Sequence, residues 1–99
     1  MENDLYNDPE FQKLIREYLD YLKDLQSELK RNIDDSNYNE IRKFGHKLTG
    51  SGGGYGFNDL TELGKKINLA AKAEDDELLQ KLSKKLEENI NEKLEVHSA

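Results

Sequence analysis

From Phe11 onward, Leu14, Ile15, Tyr18, Leu22, Leu25, Leu29 and Ile33 recur at steps of three and four residues. That spacing is the period of an amphipathic α-helix. Asp8-Pro9-Glu10 marks its start. Asp8 can cap, Pro9 has the φ of a first helical position, and Glu10 suits the positive end of the helix dipole. The helix is predicted to end near Ile33, with Asp34, Asp35 and Ser36 as a turn. The residues before Asp8 have room for a short extra N-terminal helix.

A second helix is predicted from Asn37, which has capping-box spacing to Glu40. Its apolar stripe is Ile41, Phe44, Gly45 and Leu48. The stretch Gly50-Ser51-Gly52-Gly53-Gly54-Tyr55-Gly56 follows. Each internal glycine costs about 1 kcal/mol relative to alanine, so local propensity stops this helix near Leu48. Asn58 is the expected cap of a third helix, with Leu60, Leu63, Gly64, Ile67, Ala70 and Ala71 on one side. After a break at Glu74 to Asp76, a fourth turns Leu78, Leu79, Leu82, Leu86, Ile90 and Leu94 inward. No segment has the alternation of a strand. The pattern predicts an all-α chain, an antiparallel four-helix bundle with up-down connections.

The 99 residues fit a single domain, 1–99, with the bundle core over about residues 9–95. With 34% hydrophobic and 36% charged residues, the balance suits thin helices that each show one face to water. There is no cysteine, hence no disulfide framework and no thiolate metal site. The opening MENDLYNDPE lacks the basic and apolar regions of a signal peptide, and no apolar run approaches membrane-spanning length. A cytoplasmic protein is expected, without a membrane partner. Fifteen basic against twenty-one acidic residues give a net charge of −6, which argues against nucleic acid as a partner.

One polar residue stands out. On a helical wheel His46 falls about 150° from the centre of the second helix's apolar stripe, so its imidazole should face water. Arg42 and Lys43 lie one turn before it, Thr49 and Gly50 one turn after. A free imidazole has a pKa of ~6.5, so near neutral pH it offers a nitrogen lone pair that can attack phosphorus. Arg42, Lys43 and Lys47 would stabilise an incoming phosphoryl group, and Gly50 leaves bare space beside the ring. An exposed histidine with basic neighbours is more often an ordinary solvated helix face. The internal glycines, costly to a helix, ask for a reason.

The run His46-Lys47-Leu48-Thr49-Gly50-Ser51, followed by Gly56, Leu60, Leu63 and Ile67, resembles the signature of the histidine-containing phosphotransfer (HPt) domain family. That pattern is His-x-Leu-Lys-Gly-Ser with a glycine ten residues after the histidine; Gly45 fits its preceding small residue. The resemblance implies that His46 is the phosphorylated nucleophile and that its helix continues through the glycines to about Gly53, itself partner-facing. It further implies that Gly50 lets a partner reach the ring, that Ser51 is a partly buried hydrogen-bonding residue, and that Gly56 makes the tight turn. One position departs: Thr49 stands where the family has a phosphoryl-holding lysine, and its hydroxyl brings no charge. Arg42 or Lys43 is then expected to take over that role.

The function so implied is a phosphorelay intermediate of two-component signalling. It would exchange a phosphoryl group with the aspartate of response-regulator receiver domains, and with a hybrid sensor kinase where one precedes it. The chain would bind no cofactor; the receiver would bring the acidic pocket and Mg2+. No segment can form an ATP-binding kinase domain, so the chain is expected to be a carrier rather than an enzyme, and a monomer. The rival reading is a helical protein-binding module of the same fold without phosphotransfer. The glycine run matches no nucleotide-binding pattern, and two histidines, His46 and His97, make no zinc site.

Overall fold

The computed structural model describes residues 8–97. Four helices follow in order: α1 (Pro9–Asp34), α2 (Tyr38–Gly52), α3 (Asn58–Lys72) and α4 (Asp76–His97), with a 3-10 turn at Gly53–Tyr55. There is no strand among the described residues. Short connections make each helix run antiparallel to the one before it. α1 packs on α2 and α4, while α3 packs on α2 and α4, closing the square of an up-down bundle. The expected short helix before Asp8 lies outside the described residues.

Asp8 caps α1 as its sequence suggests, its Oδ1 accepting from the Glu10 amide at 2.9 Å. The inward seam of α1 is Ile15, Leu19, Leu22, Gln26, Leu29 and Ile33, alternating steps of four and three. Leu14, expected inside, is instead half exposed. Gln26 takes a seam position that an apolar residue would ordinarily hold. Its Nε2 donates to the carbonyl and the hydroxyl of Ser83 in α4, both at 3.0 Å, which satisfies the amide donors inside the core. A parallel correction applies to α4. Leu79, Leu82, Ser83, Leu86 and Ile90 are buried, whereas Leu78 is 41% exposed.

Three boundaries differ in detail from the sequence expectation. Asn37 keeps the N-cap place of α2 but makes no side-chain capping bond, its Nδ2 donating instead to Asn32 Oδ1. Asn58 is the first residue of α3 rather than its cap. Asp75 caps α4 by accepting from the Leu78 amide at 3.1 Å, so Asp76 is helical.

The largest difference is the end of α2, which passes Leu48 and reaches Gly52, as the family resemblance implies. Tertiary contact explains it. A β-carbon on Gly52 would stand 3.0 Å from the Phe57 carbonyl oxygen and the Thr61 amide nitrogen. One on Gly45 would stand 2.9 Å from backbone atoms of Gly64 and Asn68. The glycines thus let α2 and α3 meet backbone to backbone, and that packing overrides their weak helix propensity. Gly56, at φ 84°, then turns the chain into α3, its amide donating to the Gly53 carbonyl.

Candidate functional site

His46 lies on the solvent side of α2, opposite the buried Ile41, Phe44 and Leu48. It is exposed, and neither ring nitrogen has a hydrogen-bond partner among the described residues. A free lone pair on a rigid helix is therefore available to a docked reactant. The helix under it is anchored from below. The Tyr18 phenol and the Ser51 hydroxyl are 2.6 Å apart, and the Tyr18 ring stacks on Tyr55 at 4.1 Å between centroids. Burial is the main reason that the Tyr18 phenol is pushed above its ordinary pKa; Ser51 opposes that shift and Tyr55 adds to it. Ser51 thus has the partly buried, hydrogen-bonded environment that its place in the motif implies.

The remaining candidates sort by side. Gly50 is exposed, with nothing within 4 Å of the place a β-carbon would occupy, so the surface beside the ring is open. Gly53 is also exposed, at the start of the 3-10 turn. Lys43 bonds Glu40 on its own helix at 3.1 Å. Arg42 is exposed, and its carbonyl accepts from Asn68 Nδ2 at 3.2 Å. Lys47 borders the depression around Gly50. Thr49 is half-buried against α3, and its hydroxyl donates back to the Gly45 carbonyl at 2.8 Å. That bond uses the one proton Thr49 could have offered a phosphoryl group.

Two features escaped the sequence reading. Lys65 and Lys72 of α3 line the same open groove as His46 and Thr49. No single-helix wheel could place them there, because the pairing of α2 with α3 decides it. On the other flank, Leu14 and Tyr21, both 50% exposed, form an apolar depression with Tyr55 beside Gly50. The misplaced Leu14 is the sequence signal that would have revealed it. The imidazole thus stands between a basic groove and an apolar patch on a chain of net negative charge.

Among the described residues no three His, Cys, Asp or Glu side chains gather as a metal cluster, and no helix is long and apolar enough to cross a membrane. No curated protein and no solved structure matches the chain at a significant level. The family model of the Hpt domain matches residues 11–95, which includes all of the motif around His46. Hpt domains are phosphotransfer carriers of two-component signalling, not kinases, and they work with response-regulator receiver domains. With the match spanning all but the ends of the sequence and the helical bundle in place, the chain belongs to the Hpt domain family.

Proposed function

We propose that the chain is a phosphorelay intermediate in which His46 takes a phosphoryl group from the aspartyl phosphate of one receiver domain and gives it to another. The observation that carries this reading is the unpartnered, exposed imidazole of His46 beside the open surface at Gly50. In the forward step the lone pair of an unprotonated ring nitrogen forms the N–P bond. The P–O bond to the aspartate breaks, and the carboxylate leaves with the electron pair. The receiver would bring the acidic pocket that holds Mg2+, and the ion would supply the stabilisation of charge on the equatorial oxygens.

Docking would use the apolar patch of Leu14, Tyr21 and Tyr55, which is small and so suits a transient complex. The basic side chains near His46 oppose the repulsion between an acidic chain and an acidic receiver pocket. The protein, incubated with a phosphorylated receiver domain and Mg2+, should gain an acid-labile phosphoryl group that His46→Gln cannot accept. If no receiver from the source organism transfers phosphate to it while one binds it, the binding-module reading replaces this one. Thr49 in the lysine position is the residue that favours that alternative.

A further inference from the structure

The family motif holds its phosphoryl group with a lysine three residues after the histidine. Here that residue is Thr49, uncharged and turned into its own helix by the bond to Gly45. We propose that the missing charge is supplied from the neighbouring helix, by Lys65 and Lys72 of α3. This inference rests on the carrier function proposed above and names the residues that complete its site.

Helix register carries the argument. Two cross-helix bonds fix how α2 lies on α3: Thr61 Oγ1 donates to the Thr49 carbonyl, and Asn68 Nδ2 donates to the Arg42 carbonyl. His46 falls between Arg42 and Thr49, so its level on α3 falls between Thr61 and Asn68, next to Lys65. Lys72 follows Asn68 by one turn on the same side of α3. Helical side chains lean toward the N-terminus of their own helix. The His46 ring therefore leans toward the level of Asn68, and the antiparallel Lys72 leans toward that level from beyond it. Lys72 therefore converges on the ring, while Lys65 starts at the histidine's own level, leans the opposite way and reaches the ring through the freedom of its long stem; all three line the same open surface.

The glycine contact shortens the span. A β-carbon on Gly64 would stand 2.6 Å from the Thr49 amide nitrogen, so α3 lies against α2 at the step just before Lys65. A flexible four-carbon stem then reaches across a groove that larger residues at Gly45 and Gly64 would have widened. Both lysines are available. Lys72 has no ion-pair partner among the described residues. Lys65 holds only an exposed contact to Glu62 at 3.6 Å, the kind that exchanges readily with water.

The candidates on α2 are less well placed. Arg42 and Lys43 both stand one turn toward the N-terminus of α2 and lean further that way, ahead of the ring rather than over it. On phosphohistidine, an ammonium favours the dianionic phosphoryl group over the loose, metaphosphate-like transition state of its loss to water. Removing the lysines should therefore shorten the lifetime of the phosphoprotein.

The test uses a small-molecule phosphoramidate as donor, so that it does not depend on finding the partner. The His46 nitrogen forms an N–P bond as the donor's P–N bond breaks, and ammonia leaves with the proton. Lys65→Gln and Lys72→Gln should each shorten the phosphoprotein half-life by about two- to fivefold, and the double variant by about five- to twentyfold. Lys65→Arg with Lys72→Arg should restore it, which a merely structural role would not require, and unfolding temperatures should shift little. An unchanged half-life in the double variant, or a larger loss from Arg42→Gln, overturns the inference and leaves the carrier function standing. Failure of the unaltered protein to take any label, from this donor or from phosphorylated receivers, overturns both.

Discussion

Gly50 lies in the last turn of α2, exposed, with open space where a β-carbon would stand. Alanine there needs no rearrangement, and the backbone is already helical. Ordinary helix energetics then assign Gly50→Ala a gain of about 0.5–1 kcal/mol. For a domain of this size that corresponds to a rise of about 2–8 °C in the unfolding midpoint. Gly64 offers the contrast. Its added β-carbon would meet the Thr49 amide nitrogen and hydroxyl at 2.6 Å and the Gly45 carbonyl at 2.7 Å, so α2 and α3 would have to part. Overpacking of about 1–3 kcal/mol outweighs a propensity gain of about 1 kcal/mol, and Gly64→Ala should lose stability on balance.

Stability and function should diverge at Gly50. Thermal and urea unfolding followed by circular dichroism give the first quantity, and phosphoryl transfer from a receiver gives the second. Gly50→Gln, which fills the space beside the imidazole without a clash inside the chain, should remain folded yet slow transfer by tenfold or more, a docking loss of at least about 1.4 kcal/mol. A midpoint that falls in Gly50→Ala would refute the helical assignment of this turn. Unimpaired transfer by a folded Gly50→Gln variant would refute the role given to the bare surface.

Three further outcomes are expected. Ser83→Ala should cost about 0.5–1.5 kcal/mol in urea unfolding, since Gln26 keeps its bond to the Ser83 carbonyl, while Gln26→Leu combined with Ser83→Ala should equal or exceed the original stability. Burial pushes the Asp59 carboxyl up, but bonds from Lys93, Asn89 and the Leu60 amide together hold it below the usual range. Its stabilisation is therefore present above the ordinary carboxylate pKa of ~3.9 and is lost as pH falls through the lower folded value. For this largely exposed carboxylate, Asp59→Asn should cost only about 0.5–1 kcal/mol at pH 7, and the cost should shrink steadily as the pH is lowered into the acid range. The raised Tyr18 phenol works in the opposite direction: its contribution holds below the unfolded pKa of ~10 and fades as pH rises through the folded value. Tyr18→Phe should remove that alkaline dependence and cost about 0.5–1.5 kcal/mol near neutrality.

The helices were legible in the sequence because apolar spacing reports which face of each one is dry. His46 could be placed on the wet face by the same geometry. What escaped was everything decided between helices. Gln26 has no place in an apolar pattern, and only Ser83 from α4 supplies the partners that let it be buried; Leu14 looked like core until the seam ran through Ile15 and Leu19. The end of α2 was misjudged by propensity, because Gly52 gains from the backbone of α3 what it loses as a helix former. The family pattern already contained that information. Lys65 and Lys72 belong to the same class of omission, since a groove between two helices has no signature on either wheel.

The most direct measurement is the site of attachment. The protein should be phosphorylated by a receiver domain with Mg2+, digested at neutral or alkaline pH and sequenced by electron-based fragmentation. The expected result is one phosphoramidate, on His46, with His97 unmodified because its ring abuts Phe57 and its Nδ1 is engaged by Gln12. A phosphoryl group found reproducibly on His97 or on any carboxylate or hydroxyl side chain, with His46 bare, would contradict it.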